Sequence, residues 1–241
     1  MKITVFNGAM RGEKSISHLM VSEFLAGAEG AGAEVEEVLL VKRKINLCRA
    51  CLSCWIKTPG RCCQRDDMNE LLEKYMASEI VVIATPLYGD CVSGLTKMFM
   101  DRLIPISDPH FKPDVEGETG HEMRYERYPD MVVISNCGYP EQSHFQVLQL
   151  LFRRIARNAN CKLIAEIYRG GGGLLGQYPP MLEPMIEEYR SQLRKAGAEV
   201  VTDRAIAAET QEALERQMVP TEMYISEINK LWDRLLEDDA E

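Results

Sequence analysis

Short runs of apolar, β-branched residues recur along this sequence, and each is followed by a segment of helical length. The strongest is Glu79-Ile-Val-Val-Ile-Ala-Thr85, and Lys2–Asn7, Glu34–Leu40, Met131–Ser135 and Lys162–Tyr168 read the same way. Between them, apolar residues return at three- and four-residue steps. Leu19, Val21, Phe24, Leu25 and Ala28 do so after Ser15, Leu71, Leu72 and Tyr75 after Asp67, and Phe145, Leu148, Phe152 and Ile155 between about Glu141 and Asn158. Residues 93–103 form a further predicted helix. Strands alternating with helices predict βαβ units and a parallel sheet covered on both faces. Five strands fit a doubly wound α/β order 2-1-3-4-5, in which ligands sit beyond the C-terminal strand ends.

Two stretches exceed that minimum. Pro105–Pro129 is polar and broken by Asp-Pro, Lys-Pro and Glu-Gly, and reads as a long, irregular insertion of about 105–130. From Pro179 onward two or three helices are expected, the last presenting Tyr224, Ile225, Ile228, Leu231 and Trp232 as a packing face. The expected organisation is one domain over 1–178 with a helical extension, 179–241, packed on it. Gly170–Gly173, the only glycine run, reads as a mobile turn. At 46% hydrophobic and 27% charged residues, a globular core is expected. A net charge of −9 without a basic stripe argues against nucleic acid. No apolar run approaches the roughly 18 residues that span a bilayer, so no membrane role is expected. The chain enters a strand directly at Lys2, with no signal-peptide pattern, and a cytoplasmic location is the expectation.

The first strand ends in Asn7-Gly-Ala-Met-Arg-Gly-Glu-Lys-Ser15-Ile-Ser17. This is neither a dinucleotide fingerprint nor a P-loop. It places Arg11 and two hydroxyls at a helix start, where free N–H groups and the helix dipole favour an anion. One terminal phosphate fits better than a pyrophosphate. Plain capping of the helix by Ser15 explains the same residues equally well.

Five of the eight cysteines fall within sixteen residues: Cys48, Cys51, Cys54, Cys62 and Cys63. In a reducing compartment such clusters signal metal or catalysis more than disulfides. Cys48-x2-Cys51-x2-Cys54 puts three thiols on a tight loop, and Pro59-Gly60 turns the chain so that Cys62 can return. Four thiolates suit a 4Fe–4S cluster, although the ferredoxin run has a shorter last gap. Zinc sites more often split two ligand pairs, and a metal-free thiol loop is as good a reading as the cluster. The four thiols are expected to share a volume near the ligand end of the sheet.

Three loops together resemble the flavodoxin-like NAD(P)H-dependent FMN reductases. Gly8 through Arg11 to Ser15-Ile16-Ser17 resembles their flavin phosphate loop. Thr85-Pro86-Leu87-Tyr88-Gly89-Asp90, with Ser93–Lys97 and Asp101-Arg102, resembles their second flavin loop and the following helix. Ser135-Asn136-Cys137-Gly138-Tyr139 falls where the third loop reaches the ring. The run Cys48…Cys54-Trp55…Pro59-Gly60…Cys62…Asp66-Asp67-Met68 is similar to the iron–sulfur flavoprotein branch. Ala9-Met10 departs from the family's Ser-Pro and removes one hydroxyl.

The resemblance implies FMN held by Arg11, Ser15, Ile16, Ser17, Pro86, Leu87, Tyr88, Gly89, Asn136, Cys137 and Gly138, with NAD(P)H as co-substrate. It implies a 4Fe–4S option at Cys48, Cys51, Cys54 and Cys62, electrons passed to a flavin, quinone or protein, and a homodimer or homotetramer. The protein supplies position, and the flavin carries the chemistry. A quinone or azo reductase without a cluster, an electron carrier that binds no nicotinamide, and a thiol-based redox or metal sensor stay open as alternatives. Elsewhere, His110, Asp114, Glu116 and His121 match no metal-ligand spacing and read as a solvated lid. His121 with Arg124 is a weaker candidate for facing a nicotinamide. Cys91 and Cys161 read as core or helix-start residues, and His18 and His144 as surface or capping residues.

Overall fold

A computed structural model of the chain describes residues 1–176 and 178–238. Five parallel strands form the main sheet: β1 (Lys2–Asn7), β2 (Glu34–Leu39), β3 (Ile80–Pro86), β6 (Asp130–Asn136) and β7 (Leu163–Arg169). Their order, β2-β1-β3-β6-β7, is the doubly wound 2-1-3-4-5 arrangement with two strands inserted. β3 pairs with β1 from Ile3↔Ile80 to Asn7↔Ala84, and with β6 from Ile80↔Asp130 to Pro86↔Asn136. Every residue of β3 is buried, as its unbroken apolar run requires of a strand covered on both faces.

Strand periodicity sorts the core into two layers. Ile3, Val5, Ile80, Val82, Val132 and Ile134 point to one face, where α1 (Ile16–Gly30) and α6 (Glu183–Asp203) lie. Phe6, Val81, Ile83, Met131 and Val133 point to the other, under α3 (Met68–Ala77), α4 (Gly94–Asp101) and α5 (Gln146–Asn158). The short helix α2 (Ser53–Ile56) sits within the cysteine loop. α1 and α6 meet at two glycines. A Cβ on Gly27 would lie 1.8 Å from the Arg194 carbonyl oxygen, and one on Gly197 would lie 1.9 Å from that of Phe24. Ile186, Tyr189, Leu193, Ala196 and Val200 carry α6 into the core, so this tail helix closes the α1 face of the sheet.

The insertion is ordered rather than irregular. β4 (Ser107–Pro113) and β5 (Thr119–Met123) form an antiparallel hairpin, turned at Asp114–Glu118 with Gly117 at φ +82°. Arg157 on α5 reaches Asp114, Glu116 and Glu118, and Arg154 reaches Glu118. These ion pairs pin the hairpin to α5. The tail carries three helices, and only the packing of the last differs from expectation. α7 (Ala208–Glu215) follows α6, and α8 (Thr221–Asp238) buries only Tyr224 of its expected packing face, leaving Ile225, Leu231 and Trp232 exposed. Among the described residues no helix is long and apolar enough to cross a membrane.

Candidate functional site

The C-terminal ends of β1, β3, β6 and β7 carry loops that are bonded to one another. Gly8 donates its N–H to Ala84 O (2.8 Å), and its carbonyl accepts from Ser93 Oγ (2.7 Å). Ser93 also caps α4 by accepting from the Thr96 N–H (3.2 Å), and donates its own N–H to Thr85 Oγ1 (2.9 Å). A Cβ on Gly8 would lie 1.9 Å from Thr96 Oγ1, so the first loop reaches α4 only as glycine.

Along that loop Arg11 is exposed and makes no ion pair among the described residues. Ser15 caps α1: its Oγ accepts from the His18 N–H (3.0 Å) and donates to Gly12 O (2.7 Å). Ile16 and Ser17 open the helix, where first-turn N–H groups have no intrahelical acceptor. Ser17 is buried, and its Oγ accepts from Asn136 Nδ2 (2.8 Å), a bond that ties the phosphate-like loop to the end of β6. His18, expected at the surface or as a cap, instead bonds Glu37 through Nδ1 (2.7 Å).

At the neighbouring strand ends, Leu87 donates to Asn136 O (2.9 Å), joining the second loop to the third. Tyr88 and Cys91 exchange two backbone bonds around a turn in which Gly89 (φ +53°) and Asp90 (φ +57°) are left-handed. Tyr88 is half exposed. A Cβ on Gly89 or Gly138 would meet nothing within 4 Å, so both border open space. Pro86 ends β3 opposite Asn136. Cys137 is buried, its thiol pKa is raised by that burial, and its Sγ donates to Tyr139 O (3.3 Å).

Three of the four glycines in the run are packed, and Gly173 is exposed. Gly170, Gly171 and Gly172 are buried, Gly171 donates to Tyr139 O (2.6 Å), and Gly172 donates to Cys137 O (2.8 Å). A side chain at Gly172 would strike Asn136. Tyr224 of α8 closes the third loop by donating to Gly138 O (2.7 Å).

The cysteines line one small pocket of about 20 Å³, with Cys48, Cys51, Cys54, Cys62 and Cys63 facing Arg102 and Ile104. Burial, and then the nearby Cys62, Cys51 and Cys48, raise the Cys54 thiol pKa. Ser53 and Cys63 lower that of Cys51 to about 7. Cys62 is held by Asn69 through its backbone and by Arg102, whose Nη2 donates to Cys62 Sγ (3.2 Å). Arg102 is buried with Asp66, which it bonds at 2.7 and 3.0 Å, and it donates to Asn46 O (2.7 Å). Burial alone would raise the Asp66 pKa. Arg102 and the N–H groups of Asn46 and Met68 outweigh it and hold the carboxyl below its usual range.

The pocket touches the C-terminal end of α4, whereas Ser93 and the first loop meet its N-terminal end. The eight residues between them measure about 12 Å at 1.5 Å each. Four thiolates are the right donor set for a 4Fe–4S group. The four line one pocket, and among the described residues no three ligating groups surround a common metal position.

Residues 1–119 match the sequence profile of the NADPH-dependent FMN reductases. The match spans just under half of the chain. The matched segment contains the first two loops, the cysteine loop, Arg102 and most of the hairpin. An iron–sulfur flavoprotein of Archaeoglobus fulgidus is 35% identical over 123 residues, covering 51% of this chain and 50% of the relative. An iron–sulfur flavoprotein of Methanocaldococcus jannaschii is 33% identical over 106 residues, covering 44% of this chain and 53% of the relative. The chain thus spans about half the length of the curated relatives it matches. An FMN-dependent NADH-azoreductase from Bacillus anthracis, solved in complex with FMN, superposes with a TM-score of 0.61 at 16% identity. That match covers 83% of this chain and 99% of the azoreductase, and it shows a shared fold.

Outside the matched segment lie the third loop, Gly171, Gly172 and Tyr224. The sequence singled out each of these segments but not the contacts among them. The hairpin histidines each have other partners. His121 packs between Trp55 and Phe111, and His110 pairs with Asp108. Arg124 bonds Ser107 O and Asp108. Cys161 is a core thiol, pushed by burial up to about 12, and Cys91 packs against the same layer. An apolar cavity of about 380 Å³, floored by Tyr75, Met131 and Phe152, lies beneath the hairpin and includes none of the residues of the three loops.

Proposed function

We propose that the chain is an FMN-dependent oxidoreductase that takes hydride from NAD(P)H and passes electrons to a flavin, quinone or protein acceptor. The observation that carries this reading is the Ser17–Asn136 bond, which locks an anion-ready helix start to the loop expected beside the ring. The match of residues 1–119 to the reductase family supports it. The N–H groups of Ile16 and Ser17, with Arg11 and the Ser17 hydroxyl, whose proton is uncommitted, would hold the phosphate, and the Ser15 hydroxyl would join them by turning from Gly12 O. Pro86–Gly89 and Asn136–Gly138 would flank the ring, where Gly89 and Gly138 leave room for a flat group. Bound FMN supplies two-electron acceptance and release. The residues of the chain bind and orient it, and need supply no acid or base for hydride transfer.

Cys48, Cys51, Cys54 and Cys62 would hold a 4Fe–4S group, which supplies one-electron transfer. Arg102, bonded to Cys62 Sγ, would hold that thiol in place beside it. The reading places the protein in the cytoplasm, where thiols stay reduced, and in a homodimer or homotetramer in which a second copy covers the exposed face of α8.

Titration of FMN into the flavin-free protein, followed by quenching of flavin fluorescence, tests the site. Each charge-assisted hydrogen bond lost is worth roughly 1.5–3 kcal/mol, so Ser15→Ala with Ser17→Ala should weaken binding by at least about tenfold. A melt of the same variant without FMN separates this from loss of the cap. Unchanged affinity would remove the assignment.

A further inference from the structure

We propose that Cys51 and Cys63 are an oxidisable dithiol that forms a disulfide and, in doing so, withdraws Cys51 from the four-thiol pocket. The two Sγ atoms lie 3.8 Å apart, and both residues are exposed. A disulfide requires about 2.05 Å, so side-chain rotation supplies most of the remaining approach. Both residues lie in irregular chain, with no helix or strand to hold them apart. Cys51 sits between Ala50 (φ 49°) and Leu52 (φ 53°), two non-glycine residues in the left-handed region. Such strain concentrates where a loop is held for a purpose, and here it holds Cys51 against Cys63. Cys62, the adjacent thiol, is set apart by the Arg102 and Asn69 bonds and is less exposed. The structure therefore gives two neighbouring cysteines different tasks.

The oxidant is hydrogen peroxide. Cys51 Sγ attacks one peroxide oxygen, the O–O bond breaks, and the departing oxygen takes the thiol proton and leaves as water. Cys63 Sγ then attacks the resulting sulfenic sulfur, forms the S–S bond and expels the second oxygen as water with its own proton. The two thiols lose two electrons and two protons, and peroxide becomes two waters. A dithiol reductant reverses the step. That the disulfide empties a metal-binding set rests on the function proposed above; the disulfide itself does not.

Peptide mapping after stoichiometric peroxide and alkylation tests it. Cleavage after Arg49, Lys57, Arg61 and Arg65 puts Cys51 with Cys54 and Cys62 with Cys63. The Cys54→Ser, Cys62→Ser double variant therefore leaves one thiol in each peptide. A cross-linked pair lighter by two hydrogens is expected there, and it should vanish on adding Cys63→Ser. In the wild-type chain, Cys63 should lose its reaction with iodoacetamide at the same peroxide dose. Full alkylation of Cys51 and Cys63 after peroxide would overturn the proposal. Cobalt(II), followed by its thiolate absorption, is the probe for gating. Reduced protein should bind it and oxidised protein should not, and equal binding by both would overturn the gating. Failure of the reduced protein to bind cobalt, with the cross-link present, would instead overturn the four-thiol reading and leave the disulfide standing.

Discussion

Replacing Arg102 with methionine removes a guanidinium that serves three parts of the cysteine loop. Its side chain is 1% exposed and that of Asp66 is 0% exposed, so the variant strands a buried carboxylate that keeps only the N–H groups of Asn46 and Met68. Breaking a buried pair from one side costs about 3–5 kcal/mol, a large share of the roughly 5–15 kcal/mol that holds a domain folded. The penalty depends on pH with a definite sign. In the native chain the Asp66 pKa is lowered, so the pair stabilises fully above the unfolded value of about 3.9 and loses its effect as pH falls through the folded value.

In the variant, burial is opposed by fewer donors and Asp66 takes up a proton at higher pH. The difference between the two proteins should be largest near neutrality and shrink toward pH 4 and below. Asp66→Asn combined with Arg102→Met should recover part of the loss. Urea unfolding at several pH values, read from tryptophan fluorescence, measures all of this. A loss below about 1 kcal/mol at neutral pH, or one that does not vary with pH, would refute the reasoning.

Gly27→Ala should destabilise the chain by about 1–3 kcal/mol through overpacking against the Arg194 backbone, whereas Gly30→Ala, with nothing within 4 Å, should not; equal melting temperatures for the two variants would contradict the close α1–α6 approach. Trp232→Glu, on the exposed face of α8, should lower the mass seen by light scattering at micromolar concentration, and a wild-type chain that is already monomeric would refute the assembly.

The sheet was legible because β3 is buried on both faces and therefore carries a continuous apolar run, and because the helices between strands keep their own period. The hairpin was not. Pro109, Pro113, Gly117 and Gly120 argue against strands locally, and what holds β4 and β5 is a set of acidic residues paired with Arg154 and Arg157, some 40 positions away. Convergence of the thiols could be anticipated from two-residue gaps and a Pro-Gly turn. The partner that distinguishes Cys62 from Cys63 could not, since Arg102 lies 40 positions from Cys62. Ser15 and Ser17 read alike at a helix start, yet one caps the helix while the other bonds Asn136, 119 residues on. The amphipathic pattern of α8 was visible, but a period reports only that a face is apolar. It does not say what covers that face, and here only Tyr224 reaches the body.

The central claim is that the helix start at Ser15–Ser17 holds a phosphate while the neighbouring loops hold a flavin ring. Comparing the dissociation constants of FMN and riboflavin for the flavin-free protein, under identical conditions, tests it most directly. The two ligands share the ring and differ by the phosphate. Loss of even one charge-assisted bond, at roughly 1.5–3 kcal/mol, predicts FMN binding tighter than riboflavin by at least about tenfold. Equal affinities would contradict the phosphate site, and binding of neither would contradict the flavin site as a whole.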